Sequence, residues 1–127
     1  MSRSCFTVPG PPVAKERPRR SANGSWYTPK KTVEYERGVA AAAEAAGVKL
    51  EPLVPYELVI ILYVSRFNRD LDNMSKSIQD GLMRMNQGWD DKQVHSLNVK
   101  LWPVTKRDEE KAFVSLKTIA PTIQNHE

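Results

Sequence analysis

The chain has 127 residues, of which 40% are hydrophobic and 27% charged, and it carries a formal net charge of +4. This is the composition of an ordinary globular domain with a modest core, and no stretch approaches the roughly 18 apolar residues of a membrane span. The single Cys5 excludes an internal disulfide, and because the first residues lack the apolar core of a signal peptide, we expect one cytoplasmic domain over residues 1–127.

The first predicted element is a short strand, CFTVPG, which stops at the run of prolines and glycine that begins with Pro9. Cys5 is expected to be buried and inert within it. Thr28 and Pro29 have the pattern of an N-cap followed by a proline at the first helical position. The alanine-rich helix that follows is expected to end at Gly47.

A basic segment separates this strand from this helix. Residues 15–31 contain six basic residues and one acid, a charge of +5, so the rest of the chain sums to −1. A local basic block with Trp26 and Tyr27 among the cations favours a polyanion partner, through phosphate contacts and stacking on bases. The alternative is a flexible, solvated loop. The predicted DNA-binding residues are those of this segment and one arginine further on: Lys15, Arg17, Arg19, Arg20, Lys30, Lys31 and Arg69.

The second half predicts a central strand from Tyr56, a helix from near Asp72, and two further strands. YELVIILYVSRF is apolar on both faces, as in a central strand, and the helix places apolar residues on one face. QVHSLNVKLW and KAFVSLKTI alternate, with His95 on the apolar face of the former, so that a structural role is expected for it. The charged TKRDEEK between them indicates a hairpin turn. The resulting fold class is α+β, a mixed sheet of about four strands with two helices and a frayed tail over residues 121–127.

Acidic residues cluster at two of the predicted junctions. Asp70 and Asp72 lie where the central strand gives way to the second helix, and Lys76 follows Asp72 by one helical turn. Asp90 and Asp91 lie where that helix gives way to the next strand. If the hairpin brings both junctions to one end of the sheet, the carboxylates converge around a lysine, and such an oxygen-rich site suits Mg²⁺ or Mn²⁺. A bound ion of this kind supports phosphodiester hydrolysis.

Plain structural roles are open for the same residues. Asp72 has the pattern of a helix N-cap, Lys76 can pair with Asp72 and Asp80 on the helix surface, and Asp90 and Asp91 can be turn residues. Two other functional classes also stay open. A non-catalytic DNA-binding module would need only the basic segment, and a metal-dependent ribonuclease would use the same carboxylates.

The spacing resembles that of the RusA family of Holliday-junction resolvases. The pattern is D-L-D-N from Asp70, then Lys76, Asp80, the Asp90–Asp91 pair, Val94 and Lys100, and the segments PGPPVAKERPRR and YTPKKTVEYE are similar in character to that family's N-terminal half. The resemblance covers at least residues 6–116.

This resemblance implies a Mg²⁺-dependent endodeoxyribonuclease, with Mn²⁺ able to substitute, that cuts four-way or other branched DNA symmetrically. By position, Asp70, Asp72 and Asp91 match the family's metal-binding acids, Lys76 matches its catalytic lysine, and Asp90 is a neighbouring acid. The family also implies a homodimer, because paired cuts need two active sites. Candidate interface residues are the apolar ones beyond the needs of a small core: Phe67, Met83, Met85, Trp89 and Trp102.

Overall fold

A mixed four-stranded sheet forms the centre of the molecule in a computed structural model, which describes residues 3–119. The elements in chain order are β1 (Arg3–Pro9), β2 (Arg19–Arg20), β3 (Trp26–Tyr27), α1 (Lys30–Ala45), β4 (Tyr56–Val64), α2 (Leu71–Met85), β5 (Val94–Pro103) and β6 (Lys111–Thr118). The strand order in the sheet is β1-β6-β4-β5, and β2 pairs only with β3. The predicted α+β class, with two helices and four sheet strands, is confirmed. The tail predicted over residues 121–127 lies outside the described residues.

Strand β4 is central, as its apolar sequence predicts, and one of its two faces is fully buried while the other is half-buried. Tyr56, Leu58, Ile60, Leu62 and Val64 are at most 3% exposed, while the residues between them are half-buried. The buried faces of α1 and α2 join the same core cluster. Both helices therefore cover one face of the sheet and leave the other open.

The predicted hairpin between β5 and β6 is wrong. Strand β5 pairs with β4 in parallel, β6 pairs with β4 antiparallel, and β4 lies between them. The chain after β5 turns across the end of β4, where the Val104 amide donates to the Val64 carbonyl over 2.9 Å. The reason is tertiary: α2 is the crossover that a parallel β4–β5 pair requires, and β6 completes the other side of the central strand. A charged turn fits this connection as well as it fits a hairpin.

Helix boundaries differ from the sequence prediction by one or two residues. Helix α1 begins at Lys30, so Pro29 occupies the N-cap in place of Thr28. Gly47 follows its C-terminus with a φ of 77°, a conformation that glycine adopts without strain. Helix α2 begins at Leu71, which makes Asp70 rather than Asp72 its N-cap.

Gly81 is required where α1 and α2 touch. A Cβ at this position would lie 2.5 Å from the Val39 Cβ and 2.9 Å from the Glu36 carbonyl oxygen. The residue that weakens α2 as an isolated helix thus permits the close helix contact.

Strand β5 is an edge strand and is more exposed than its alternation predicts. His95 is exposed, and Leu97 is 49% exposed, because the pairing with β4 shifts register at the start of the strand and one side of β5 has no neighbouring strand. The structural role expected for His95 in an apolar face is therefore wrong. Cys5 is also exposed rather than buried, because it points to the open face of the sheet. Within residues 3–119, neither helix is long and apolar enough to cross a membrane.

Candidate active site and nucleic-acid interface

The start of α2 fixes the first of the predicted acids. Asp70 is the N-cap: its Oδ1 accepts the Asn73 amide at 3.1 Å and its Oδ2 accepts the Asn73 side-chain amide at 2.7 Å. Both oxygens therefore serve the first turn of the helix. Asp72 is exposed in that first turn, where a carboxylate also favours the helix dipole.

Lys76 lies between two carboxylates. Its Nζ is 2.9 Å from Oδ2 of Asp91 and 3.3 Å from Oδ1 of Asp80. The hydrogen bond to Asp91 is the main reason why the pKa of Lys76 is raised above its usual value, and Asp80 adds to it against the opposing effect of burial. The ammonium therefore stays charged and offsets the repulsion between the two acids.

The Asp90–Asp91 pair belongs to a short 3-10 turn before β5. Oδ1 of Asp90 accepts the Lys92 amide at 2.8 Å, and the Asp90 amide donates to Oε1 of Gln93 at 3.0 Å. The bond from the Lys92 amide is the largest contribution to the lowered pKa of Asp90. Gln93 ties the turn down by donating to the carbonyls of residues 51 and 54. Asp90 thus caps the turn, and Asp91 is left to face Lys76.

Trp89 precedes this turn and is buried in the core. It is 2% exposed, and its ring meets that of Tyr56 edge-on at a centroid distance of 6.0 Å. The expectation that Trp89 contributes to an interface is therefore wrong, because a buried core residue cannot reach a partner. Trp102 and Phe67 are 57% and 70% exposed, and Met83 and Met85 are half-buried.

Ion pairs extend from Lys76 across to α1. Lys15 contacts Oδ2 of Asp80 at 3.0 Å and Oε2 of Glu36 at 2.8 Å, and Glu36 accepts from Nε of Arg84 at 2.8 Å. Burial alone would lower the pKa of Lys15, but the bonds to Glu36 and Asp80 outweigh it and raise that pKa. The six groups form one chain of alternating charge, which we call the ionic chain: Arg84, Glu36, Lys15, Asp80, Lys76 and Asp91.

Residues 12–15, which we call the strap, lead into the basic segment and are bonded to α2 and to Arg69 just before it. The Lys15 amide donates to the Asn73 carbonyl at 2.7 Å, and the Ser77 hydroxyl donates to the Val13 carbonyl at 2.6 Å. Arg69 donates to the Pro12 carbonyl. The predicted polyanion-binding segment therefore begins beside the predicted acids. Beyond this strap it forms the β2–β3 hairpin, where the sequence predicts only a loop.

A basic cleft of about 500 Å³ opens next to this strap. Its walls include the predicted DNA-binding residues Lys31 and Arg69, together with Arg107 and Glu16. Sequence reasoning missed Arg107, since it belongs to the charged stretch that was predicted to be a hairpin turn. Of the other predicted DNA-binding residues, Arg17, Arg19, Arg20 and Lys30 are exposed, and Lys15 is committed to the ionic chain.

The predicted acids do not all meet at one end of the sheet. Because β5 runs parallel to β4, the end of α2 and the start of β5 lie at the other end of β4 from Asp70. Within residues 3–119, no three histidine, cysteine, aspartate or glutamate side chains are close enough to hold a metal ion. Asp91 instead contacts Lys76, which lies one helical turn after Asp72 in α2. The ion pair between Lys76 and Asp91 therefore joins the turn before β5 to the helix.

Comparison with known proteins supports the resemblance drawn from the sequence. No curated protein sequence matches the chain. The family model described as endodeoxyribonuclease RusA matches residues 9–117, which include the strap, the basic segment and both acidic junctions. The nucleases of this family are crossover junction endodeoxyribonucleases that generally require a divalent metal ion. With most of its length matched, the chain belongs to the RusA family of endodeoxyribonucleases.

Proposed function

We propose that this protein is a divalent-metal-dependent endonuclease that resolves four-way DNA junctions by paired cuts and works as a homodimer. The observation that carries the proposal is the position of the Lys76 ammonium, 2.9 Å from Asp91 and one helical turn from Asp72. A cation already lies between acids beside a strapped basic segment. This arrangement supports a site where a metal ion and an anionic phosphate meet.

The donor chemistry fits a hard divalent ion. Asp72 and Asp91 offer carboxylate oxygens, which Mg²⁺ prefers, and Asp72 is exposed. Asp70 could serve as a ligand at the start of α2 by releasing the Asn73 side chain, whereas Asp90 is the least suited of the four acids because its Oδ1 holds the turn. We propose Asp70, Asp72 and Asp91 as the metal-holding residues. In the free protein the Lys76 ammonium stands in for the ion at Asp91 alone, and metal binding would have to draw this carboxylate toward the start of α2. When bound, such an ion activates water and offsets the charge that develops on the phosphate.

Lys76 has a second task in this proposal. In the free protein it neutralises Asp80 and Asp91, which would otherwise repel each other and incoming DNA. With a divalent ion bound, Lys76 would no longer be needed for that neutralisation, and its ammonium would be free to face the phosphate. There it stabilises negative charge in the transition state, as fixed cationic groups do in phosphoryl chemistry.

The dimer is proposed on the open face of the sheet. This face presents half-buried Val59 and Ile61 of β4 and Phe113 of β6, with Trp102 of β5, 57% exposed, beside Tyr63. These apolar residues lie among polar ones such as Glu57 and Lys100. A partly apolar sheet face left open by the helices is suited to a second copy, and a two-fold pair supplies the two active sites that symmetric cutting needs. Light scattering should report twice the 14.4 kDa chain mass. Ile61→Asp should give the monomer, and a wild-type protein that is monomeric both free and on junction DNA would refute paired cutting.

The test of the active site compares cleavage, DNA binding and metal binding on the same preparations. Asp70→Asn, Asp72→Asn and Asp91→Asn should each abolish junction cleavage in Mg²⁺ while junction binding in EDTA is intact or tighter, because a repelling charge is lost. Asp108→Asn, an exposed acid in the turn after β5, is the matched control and should cleave normally. Near-wild-type cleavage by any two of the three variants would refute the assignment.

Metal binding gives a readout that does not depend on cleavage. Calorimetric titration of the DNA-free protein with Mn²⁺ should detect a site that weakens in Asp72→Asn and Asp91→Asn. Lys76→Met should bind Mn²⁺ more tightly than wild type, because the competing ammonium is gone, yet cleave junctions more slowly. Weaker Mn²⁺ binding by Lys76→Met would contradict the idea that the ammonium stands in for the ion.

A further inference from the structure

The hairpin formed by β2 and β3 is a feature that the active-site proposal does not use. It pairs Arg19 with Tyr27 and Arg20 with Trp26. Its turn is held by local bonds: the Ser21 amide donates to the Ser25 carbonyl at 2.8 Å, and the Ser25 amide donates to the Asn23 side chain at 3.0 Å. The hairpin follows the strap, which is bonded to α2 at Asn73 and Ser77.

Each face of this hairpin carries one arginine and one aromatic ring. Neighbouring residues of a strand point to opposite faces, and directly paired residues share a face. Arg20 and Trp26 therefore lie on one face, with the guanidinium carbon 5.8 Å from the centroid of the Trp26 ring. Arg19 and Tyr27 lie on the other face, and Arg19 is held by Glu16 at 2.7 Å.

Both rings are exposed, at 67% for Trp26 and 47% for Tyr27. Aromatic side chains of this size are strong contributors to a core when they are buried, and these two are outside it. Within the described residues, the only ring contact found for Trp26 is the one with Arg20. The hairpin therefore presents two flat apolar surfaces to solvent, each beside a cation.

We infer that this hairpin reads the branch point of the DNA substrate, with Trp26 and Tyr27 stacking on nucleobases whose own stacking is interrupted there. In a continuous duplex every base face is covered by its neighbours, so the rings find nothing to stack on. At a branch point the faces of the last bases are open, and stacking on an aromatic ring needs no particular sequence. Arg20 and Arg19 are placed to contact the phosphates that flank those bases. This inference rests on the proposed function, since it assumes a branched DNA substrate.

The inference makes a claim about selectivity rather than overall affinity. Loss of a stacking ring should weaken binding to a junction and leave binding to a duplex of equal length almost unchanged. We expect Trp26→Ala to reduce the junction-to-duplex affinity ratio by about 5- to 150-fold, the equivalent of ~1–3 kcal/mol per stacked base. Loss of a phosphate contact would instead lower both affinities together.

The experiment uses 2-aminopurine, a fluorescent adenine analogue, placed either at the branch point of a four-way junction or well inside one of its arms. Binding is measured in EDTA so that no strand is cut. Wild-type protein should change the fluorescence at the branch point and not in the arm. Trp26→Phe keeps a flat ring and should retain the signal and most of the selectivity. Trp26→Leu is apolar without a ring face and should lose both, and Leu53→Ala, at a 95% exposed position, is the control that should match wild type.

Each outcome decides the inference. If Phe and Leu at position 26 behave alike, or if the affinity ratio is unchanged in Trp26→Ala, ring stacking at the branch point is refuted. A wild-type protein that binds duplex and junction equally well refutes it too. Failure of the proposed function has a different signature: absent cleavage in Mg²⁺ with the branch-point signal intact would overturn the nuclease assignment and leave the hairpin's role standing.

Discussion

Glu36 offers the most direct test of the ionic chain. Its side chain is 2% exposed, and its two oxygens are divided between Lys15 and Arg84, each at 2.8 Å. The cations keep more contact with water, at 25% and 39% exposure. The carboxylate is therefore the buried member of a three-charge group, and removal of its charge should cost stability.

The expected cost follows from what glutamine retains. Breaking a buried ion pair by removing one partner typically costs ~3–5 kcal/mol. Glu36→Gln keeps one acceptor oxygen, and the two cations can recover hydration, so we expect a loss of ~1–3 kcal/mol in the free energy of unfolding. For a chain of 127 residues this corresponds to a decrease in melting temperature of about 4–12 °C.

The assay is urea and thermal unfolding of Glu36→Gln beside Glu34→Gln. Glu34 is in the same helix but is 61% exposed, and it lies 3.8 Å from Lys30 in a surface pair. Its replacement should change stability by less than ~0.5 kcal/mol. If Glu36→Gln also falls within that range, the buried carboxylate does not stabilise the contact between α1 and the strap, and the reasoning fails.

Three further predictions concern packing, acid stability and DNA affinity. Gly81→Ala should lower the free energy of unfolding in urea by ~1–3 kcal/mol, because its Cβ would clash with Val39 at 2.5 Å and outweigh the ~1 kcal/mol of helix propensity gained; a more stable variant would contradict this. Burial alone would raise the pKa of Glu110, but the hydrogen bonds donated by Ser65 lower that pKa below 4.5. The charged Glu110 therefore stabilises the fold above pH 4.5, and this stabilisation is lost as the pH falls through the pKa of the folded state. Glu110→Gln should therefore flatten the acid limb of the stability curve, and an unchanged limb would contradict this. Arg17→Ala should reduce the slope of log K against log salt by up to ~0.9 on any DNA, and an unchanged slope would mean that this side chain faces away from the phosphates.

The elements with strong periodicity could be predicted from the sequence alone. Strand β4 and helix α2 have the burial that their patterns indicate, with Met74, Ile78 and Leu82 fully buried. Strand partners could not be predicted in this way, because a charged turn is compatible with a hairpin and with a chain that passes over the end of β4. The pairing is decided by α2, whose crossover makes β5 parallel to β4.

The candidate site shows the same division between local and long-range information. Helical spacing allows Lys76 to pair with Asp80, and the two are found 3.3 Å apart. The roles of Lys15 and Glu36 could not be foreseen, because their contacts depend on how the strap and α1 pack against α2. The cleft residue Arg107 was missed for the same reason, since its neighbours in sequence give no sign of Lys31 or Arg69.

The ionic chain also explains how a protein of net charge +4 holds so many acids together. Its three cations and three carboxylates alternate, so the chain is neutral as a whole and each acid between two cations is doubly compensated. Asp91 is the terminal acid of the ionic chain, and within this group of six residues it contacts Lys76 alone. In the proposed metal-bound state, loss of the Lys76–Asp91 contact would leave the ion pairs of Lys15 with Glu36 and Asp80 in place. Under the proposed function, the Asp91 end of the ionic chain is therefore the position where exchange of a lysine contact for a metal ion would leave the most ion pairs intact, and Lys76 at this end lies one helical turn from Asp72.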